Sequence, residues 1–428
     1  MRTQTARSAD AAAPGRDTLT ATYRAVRQRT VSLGDGLSAE DMVAQSMSDA
    51  SPTKWHMGHT TWFFETFLLE RLTPGFEPFH PQFRVIFNSY YQQIGPQHSR
   101  PARGLLTRPP LDEVLKYRAH VDQAMEDLLQ SFEPLEDITP FVQLGLHHEE
   151  QHQELILTDL LHLLSCNPLR PVYRPYRSQS ASSPIPLRWL AFDGGVFEIG
   201  HDGDGFAFDD EGPRHEVLLR PYKLANRPVT VGDWKEFVAD GGYARPEFWL
   251  SDGWALANEQ AWRAPLYWEE DEDGAWSSMT LSGMQPLDDG APVCHVSHFE
   301  ADAYARWAGK RLPTEAEWEV AAANISTQGN TMGSELFRPA AATEENGGLL
   351  QMFGDVWELT QSAFTPYPGF KPAAGAVGEY NGKFMSGQVV LRGASCATAD
   401  GHSSASYRNF FYPFQRWQFM GLRLADDA

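Results

Sequence analysis

Two histidines four residues apart, in the run His148-Glu149-Glu150-Gln151-His152, constrain the fold of this chain more than any other feature. The run lies inside a long helical pattern that Thr139-Pro140 opens and that continues to about Ser165. Residues four apart on a helix lie on the same face, about 6 Å apart. Two imidazoles in this arrangement can bind one divalent metal ion, as they do in helical zinc motifs. Such a site needs a further ligand from another part of the chain.

Two histidines, His56 and His59, are candidates for that further ligand, and both lie in a helical pattern from Pro52 to Leu72. They share a helix face at a spacing of three residues, so the spacing does not choose between them. His147 also stays open as a ligand, although it points about 100° away from His148. Three neutral imidazoles leave open positions on zinc or on iron, and the spacing does not identify the metal.

Two more helical patterns, Thr18 to Leu33 and Leu111 to Phe132, complete a set of four. Four amphipathic helices pack most simply as an antiparallel bundle, and bundle cores hold metal ions on side chains from facing helices. The connection from about Thr73 to Pro110 is too long for a plain turn and is predicted to carry functional residues. Three acidic side chains beside the histidines are expected to be solvated charges, with contacts to the metal ligands as the alternative: Glu149, Glu150 and Glu154.

The composition of the chain changes after the bundle. Residues 167–186 are rich in proline, arginine and serine and are predicted to be a linker. Short strand-like runs follow, such as His215-Glu216-Val217-Leu218-Leu219. Helices are expected from Ser297 to Gly309 and from Thr314 to Ala323, so residues 187–428 are predicted to form an irregular α+β domain. At the other end of the chain, residues 1–17 contain no apolar core and are predicted to be a disordered tail rather than a signal peptide.

The charge balance excludes several classes of protein. The chain has 35 Lys and Arg against 56 Asp and Glu, a formal net charge of −21, which argues against binding to nucleic acid or anionic membranes. No apolar run reaches the roughly 18 residues of a membrane helix. The three scattered cysteines imply no disulfide framework and fit a reducing compartment. We therefore expect a cytoplasmic protein that acts on small molecules, and a homo-oligomer is compatible with the sequence.

Several motifs along the chain resemble one known family. In the first half they are Ser51-Pro52-x-x-Trp55-His56-x-x-His59-Thr60-Thr61-Trp62-Phe63 and His148-Glu149-x-Gln151-His152-x-Glu154. In the second half they are Phe192-Asp193-Gly194-Gly195, Lys310-Arg311-Leu312-Pro313-Thr314-Glu315, Gly354-Asp355-Val356-Trp357-Glu358, Arg392-Gly393-Ala394-Ser395, Tyr407-Arg408-Asn409-Phe410-Phe411 and Gly421-Leu422-Arg423-Leu424. Together they resemble the sulfoxide synthases of ergothioneine biosynthesis (EgtB type), over roughly residues 20 to 426.

The resemblance implies a multidomain chain of α and α+β parts. A DinB-like four-helix bundle that binds iron would occupy residues 18–166, and a formylglycine-generating-enzyme-like domain of C-type-lectin-like fold would occupy residues 187–428. The family pattern implies that His59, His148 and His152 hold Fe(II). His56 would then contact one of these three metal ligands rather than the metal itself. The implied reaction joins the imidazole C2 of hercynine (trimethylhistidine) to the sulfur of a thiol, with O2, and leaves a sulfoxide.

The resemblance also assigns roles to side chains outside the histidines. One tyrosine of the pair Tyr90-Tyr91 would donate a proton or a hydrogen during the reaction. Arg100 and Arg103 match positions that grip the carboxylate of the thiol substrate, where a bidentate guanidinium suits a carboxylate. The remaining candidates are Gln151 and Asn409 to orient hercynine, Asp49 to meet the ammonium group of the thiol substrate, and Arg416 as a weaker alternative partner for its carboxylate.

One departure from the family pattern bears on the thiol. Members that use γ-glutamylcysteine have an acid two residues after the Asn409 position, where this chain has Phe411. With the tyrosine pair, this predicts free L-cysteine as the donor.

Other activities share parts of this pattern. The alternatives are the same reaction with γ-glutamylcysteine, a selenoneine-type synthase with a selenium donor, and a DinB-type metal-dependent thiol transferase. Formylglycine generation is disfavoured because it needs a cysteine pair, and Cys294 lies far from Cys396 in the sequence.

Overall fold

The computed structural model describes residues 14–178, 185–343 and 347–428. Most of the predicted tail, residues 1–13, therefore lies outside the described residues, as do residues 179–184 of the predicted linker. The first helix begins at Arg16, two residues earlier than predicted. The Arg16 guanidinium donates to the carbonyl of Phe132 at 3.0 Å and pairs with Glu133 at 2.6 Å, so the helix start is held against the end of a neighbouring helix.

The first half of the chain is a helix bundle, as the four helical patterns predicted. Its helices are α1 (Arg16–Ser32), α2 (Thr53–Phe64), α3 (Glu70–Leu72), α4 (Phe83–Ile86), α5 (Leu111–Ser131) and α6 (Thr139–Ser165), and a π-helical segment, Glu65–Leu69, joins α2 to α3. Helix α2 packs against both α5 and α6, and α1 packs against the same two helices. Every residue of α2 is buried, so polar side chains of this helix must find partners inside the protein.

The second half of the chain contains twelve short strands in the described ranges. They are β1 (Trp189–Phe192), β2 (Gly195–Ile199), β3 (His215–Leu219), β4 (Tyr222–Ala225), β5 (Trp268–Glu270), β6 (Trp276–Thr280), β7 (Gly283–Pro286), β8 (Trp357–Ala363), β9 (Val389–Gly393), β10 (Asn409–Phe411), β11 (Met420–Leu422) and β12 (Ala425–Asp427). They form four small sheets with the orders β1-β4-β12, β10-β9-β8-β11, β2-β3 and β5-β6-β7. All pairs are antiparallel except β11 with β8.

Four helices accompany these strands: α7 (Val231–Ala239), α8 (Ser251–Glu259), α9 (His298–Trp307) and α10 (Glu315–Ala322). Ser297 and Thr314 cap α9 and α10 with capping boxes, which confirms the two helices predicted there. Helices α7 and α8 were not predicted; each is only nine residues long. Short 3₁₀ turns lie at Arg100–Leu105, Leu135–Asp137, Asp209–Glu211, Gly242–Ala244, Pro246–Phe248, Met332–Ser334, Ala376–Glu379 and Gly382–Phe384.

Buried ion pairs hold the core of the second half together. Arg423 donates to Glu358 at 2.7 Å, and neither side chain is exposed to solvent. Arg392 and Arg408 both contact Glu315, each at 2.9 Å. These charged residues come from the motifs of the second half, so part of each of those motifs is explained by structural ion pairs.

Helix α6 joins the two halves through Glu154. Its carboxylate accepts hydrogen bonds from the Trp357 indole at 2.7 Å and from the hydroxyls of Ser395 and Thr398 at 2.6 and 2.8 Å. The prediction of a solvated Glu154 is therefore wrong, because the sequence pattern of a helix does not reveal a second domain packed against it. None of the helices in the described ranges combines the length and the apolar character that crossing a lipid bilayer would require.

Glu149 is also buried rather than solvated. It lies in the bundle core, where Arg27 and Arg118 pair with it at 2.7 and 2.8 Å and Thr30 donates at 2.6 Å. Burial by itself would raise the pKa of Glu149, but the two guanidinium groups lower it to about 2. The carboxylate thus stays ionised and holds α1, α5 and α6 together next to the histidines.

Candidate functional site

Three imidazoles meet between α2 and α6. His59, His148 and His152 each offer a ring nitrogen, and these atoms all lie within 4.8 Å of one another. His59 Nε2 lies 3.2 Å from His148 Nε2. The other nitrogen of His59, Nδ1, donates to the carbonyl of Phe87 at 2.6 Å, which leaves Nε2 with a free lone pair. The three residues could therefore hold one metal ion.

His56 takes a different position from His59. Its Nδ1 lies 2.8 Å from Nδ1 of His152, and its Nε2 lies 3.2 Å from the carboxylate of Asp159. One consistent set of tautomers has His152 Nδ1–H donating to His56 and His56 Nε2–H donating to Asp159. That chain leaves Nε2 of His152 free for a metal and fixes its ring, as carboxylate–histidine pairs do in known metal sites.

Burial keeps these imidazoles neutral. It lowers the pKa of His148 to about 3, and it lowers the pKa values of His59 and His152 well below the usual value, with further contributions from the neighbouring histidines. A neutral imidazole is the form that donates a lone pair to a metal. The donor set of three neutral nitrogens fits a divalent transition metal with open positions for other molecules.

A cavity of about 440 Å³ between the two halves opens onto this group. Residues of the bundle and of the 73–110 connection line one side, and residues of the second half line the other. The predicted site residues among them are Tyr90, Arg100, Arg103, His148, Gln151, His152, Asn409 and Phe411. The structure thus brings most of the predicted site together, although these residues come from positions more than 300 apart in the sequence.

Arg103 is the most unusual cation of the cavity. It is 4% exposed, its guanidinium stacks on the Trp55 ring at 3.3 Å, and it donates to the Ser51 hydroxyl at 2.9 Å. No carboxylate of the described residues lies within ion-pair distance of it. Burial, with a contribution from Arg100, lowers the pKa of Arg103 to about 8. A buried cation without a partner is costly, and an anionic ligand in the cavity would offset that cost.

Gln151 lies between two tyrosines of the second half. The Tyr380 hydroxyl donates to Gln151 Oε1 at 2.5 Å, and Gln151 Nε2 donates to the Tyr407 hydroxyl at 2.8 Å. The Tyr380 ring also packs 5.6 Å from the His148 ring. The amide is therefore fixed in orientation beside the candidate metal ligands.

Besides His59, which is fully buried among the imidazoles, three predicted site residues do not line the cavity. Tyr91 is fully buried behind Tyr90, with its ring 5.6 Å from Trp62. Asp49 contributes its backbone carbonyl, which accepts from Arg100, while its carboxylate stays outside. Arg416 lies elsewhere, paired with Glu300 at 3.3 Å, and so has its own carboxylate. The substrate contacts expected of these three residues stay predictions, and this arrangement does not favour them.

Several residues of the cavity were not predicted from the sequence. Trp357 and Tyr407 belong to motifs quoted above, but nothing in those motifs separates cavity residues from structural ones. Tyr380 lies in a 3₁₀ region without periodicity, so no sequence signal marks it. Asp159 lies seven residues after His152, two helical turns away on the same face, and that spacing would have identified it.

The buried thiols differ from the pattern expected of a metal-binding pair. Cys294 and Cys396 are distant in sequence, yet both belong to one buried cluster of the fold. Burial raises the pKa of both thiols well above the usual value. They therefore stay protonated, whereas a thiol must be deprotonated to hold a metal.

Comparison with known proteins agrees with this architecture. A family model described as the DinB superfamily matches residues 22–156, and one described as Sulfatase-modifying factor enzyme 1-like domain matches residues 186–428. The predicted fold class, a DinB-like bundle followed by a formylglycine-generating-enzyme-like domain, is confirmed. A formylglycine-generating enzyme of Streptomyces coelicolor is 30% identical, over 55% of this chain and 88% of its own length.

Two relatives extend over nearly the whole chain. A hercynine oxygenase of Mycolicibacterium smegmatis is 33% identical over 445 residues, covering 96% of this chain and 99% of that protein. A hercynine oxygenase of Mycobacterium tuberculosis is 32% identical and covers 94% of this chain and 96% of its own length. With both family models in the expected order, the chain belongs to the hercynine oxygenase family, the EgtB-type sulfoxide synthases of ergothioneine biosynthesis.

Proposed function

We propose that this protein uses Fe(II) and O2 to join the imidazole C2 of hercynine to the sulfur of L-cysteine, which gives hercynyl-cysteine sulfoxide. One observation carries the proposal: His148 and His152 face a cavity that also contains Arg103, a buried guanidinium with no carboxylate partner in the described ranges. A metal with open positions at one wall and a buried guanidinium at another suit two small substrates that carry carboxylates.

The atoms of this reaction balance with O2 as the oxidant. The C2 hydrogen of hercynine and the thiol hydrogen are removed, one C–S bond forms, and sulfur gains one oxygen atom. The second oxygen atom leaves as water with the two hydrogens. Iron held by His59, His148 and His152 would supply the redox chemistry, and the protein would position the substrates and deliver protons.

The walls near the histidines suit hercynine. The rings of Phe208, Trp357, Tyr380 and Tyr407 lie close together, with centroids 5.3 to 5.6 Å apart between neighbouring rings. Aromatic faces attract quaternary ammonium groups, and hercynine carries a trimethylammonium group. Gln151, fixed by two of these tyrosines, would orient hercynine, and Asn409 on the opposite wall would do the same.

The basic side of the cavity suits the thiol substrate. Arg103 would bind the carboxylate of L-cysteine in the low-dielectric cavity, and exposed Arg100 would add attraction from the rim. Phe411 lines the same cavity and offers an apolar ring where a larger, amine-bearing donor would need an acid. This supports L-cysteine over γ-glutamylcysteine.

Tyr90 is better placed than Tyr91 to deliver a proton. It lines the cavity and stacks on Tyr91, with ring centroids 4.6 Å apart. Burial raises the pKa of Tyr90, so its phenol keeps a proton that it can donate.

Oxygen uptake tests the proposal directly. Protein loaded with Fe(II) without air would be given hercynine with L-cysteine, with γ-glutamylcysteine or with a selenium donor, and the products would be identified by mass. Uptake that requires both hercynine and L-cysteine, with a sulfoxide product, is expected. Faster turnover with either other donor would replace L-cysteine by that donor. Thiol transfer with zinc and without oxygen uptake would reject the oxygenase proposal in favour of a thiol transferase.

The ligand assignment needs its own variants. His148→Ala should abolish iron binding and oxygen uptake, because two imidazoles remain where three converge. His162→Ala is a matched control on the same helix, since His162 bonds to the Ser46 hydroxyl at 2.7 Å outside the group. Full iron occupancy in the His148→Ala protein would reject the assignment.

A further inference from the structure

A second group of metal-binding side chains lies beside the first and outside the cavity. His147 and Glu150 come from α6, and His402 comes from the second half of the chain. His147 Nδ1 lies 3.0 Å and His402 Nδ1 lies 2.9 Å from the same oxygen of Glu150, and the two nitrogens are 3.2 Å apart. His147 points away from His148 on the helix, so this group is separate from the three imidazoles described above.

Hydrogen bonds alone do not satisfy these three atoms. If both imidazoles donate to the Glu150 oxygen, their two N–H groups converge on it, with the two nitrogens only 3.2 Å apart. If one imidazole instead presents its lone pair to the other, that lone pair also faces the carboxylate oxygen at about 3 Å. With Glu150 as a carboxylate, every arrangement of neutral imidazole tautomers therefore leaves one repulsive contact. A cation at the centre would turn all three atoms into ligands and remove the repulsion.

The charge around Glu150 gives an independent argument. Glu150 is 15% exposed, and in the described ranges neither arginine nor lysine pairs with it. The adjacent Glu149 is buried as well, but Arg27 and Arg118 both neutralise it. A largely buried carboxylate without a cation is costly, so the local structure calls for a positive charge at Glu150.

We propose that His147, Glu150 and His402 bind a second divalent transition-metal ion, for which Zn²⁺ is the best match. Two imidazoles and one carboxylate suit zinc, and tetrahedral ligands about 2.0–2.1 Å from zinc lie about 3.3 Å apart. The observed separations of 2.9 to 3.2 Å need only a slight opening to reach this value. A water molecule would supply the fourth ligand.

The second metal would connect the bundle to the domain that follows it. His402 Nε2 lies 3.3 Å from the Tyr407 hydroxyl, and this hydroxyl accepts from Gln151 in the cavity. A metal on Nδ1 of His402 requires a proton on Nε2, so the imidazole would donate to Tyr407. The ion would thus fix the His402 ring, which holds the Tyr407 hydroxyl that contacts Gln151. Its role would be to position these residues rather than to take part in the reaction.

Zinc stoichiometry tests this site independently of the oxygenase activity. Full-length protein freed of metal with a chelator would be dialysed against Zn²⁺ and its metal content measured. We expect two equivalents per chain in the unchanged protein, one in His402→Ala and one in His148→Ala, which retains the second site. The matched control is His215→Ala, whose histidine bonds to the Pro213 carbonyl and belongs to neither group; it should keep two.

Glu150→Gln covers the case in which His402→Ala fails to fold. Loss of a residue that only orients a metal ligand typically weakens metal binding by about 10- to 100-fold. The nearly isosteric Glu150→Gln removes a ligand itself, so it should weaken binding of the second zinc equivalent by more than that. Binding of a single equivalent by the unchanged protein would overturn the proposal. Retention of two tightly bound equivalents by His402→Ala, or by Glu150→Gln where His402→Ala does not fold, would also overturn it.

Discussion

Replacing Arg103 by methionine removes the buried guanidinium of the cavity and keeps a long, unbranched side chain against Trp55. In the free protein the substitution should cost little free energy of unfolding. Arg103 has no carboxylate partner among the described residues, and burial already lowers its pKa to about 8. The variant loses one hydrogen bond to Ser51 but no longer buries a charge, so its melting temperature should not fall. The cost should appear only when a carboxylate binds.

The expected size of that cost follows from the burial of Arg103. Removing one partner of a buried, hydrogen-bonded charge pair typically costs about 2–5 kcal/mol. At about 1.4 kcal/mol per factor of ten, a loss of about 3 kcal/mol lowers kcat/KM for L-cysteine by about 100-fold. Arg100 is exposed, so Arg100→Met should lower it by less than about tenfold.

A pair of thiols separates carboxylate recognition from general damage to the site. Cysteamine is cysteine without its carboxylate, so the unchanged protein should use it poorly, and Arg103→Met should use it about as well as the unchanged protein does. Oxygen uptake at saturating hercynine measures kcat/KM for both thiols in all three proteins. An equal loss for L-cysteine and cysteamine in Arg103→Met would refute carboxylate recognition by this residue.

Three further predictions concern other side chains. Glu149→Gln should destabilise the protein by about 3 kcal/mol at pH 7, because the difference between the usual pKa of 4.5 and about 2 is stability that is present above pH 4.5 and lost as the pH falls towards 2. In urea denaturation, the free energy of unfolding of the variant should therefore change less between pH 4.5 and pH 2 than that of the unchanged protein. An equal change in both proteins would contradict the argument. Phe411→Asp should raise the ratio of kcat/KM for γ-glutamylcysteine to that for L-cysteine, and a constant ratio would undo the specificity argument. Tyr90→Phe should lower the rate of sulfoxide formation more than Tyr91→Phe, with unchanged substrate binding; the reverse order would move the proton donor to Tyr91.

The local pattern of the sequence was enough for the helices and strands with strong periodicity. The predicted α6 from Thr139 to about Ser165 has the observed bounds, as does the strand-like run at His215–Leu219. The nine-residue helices α7 and α8 were missed, whereas the eight-residue α10 was predicted from its capping pattern Thr314-x-x-Glu317. Helix α7 has Asp233 where that pattern has glutamate, and α8 starts after Leu250, which offers no side-chain cap. The acidic residues of α6 were predicted to be solvated because helical spacing shows which residues share a face but not what covers that face.

The sequence by itself determined the bundle, the pair His148 and His152, and the order of the two domains, because these depend on residue types at short, regular spacings. Residue spacing left the choice between His59 and His56 open, and the family resemblance favoured His59. The tertiary structure supplies the physical difference, since Nε2 of His59 lies beside His148 whereas Nε2 of His56 lies beside Asp159. It also decided that Arg103 is a buried cation with no carboxylate partner among the residues that the structure describes. Both are long-range facts: they depend on helices and domains packing together, and no spacing along a single segment encodes that packing.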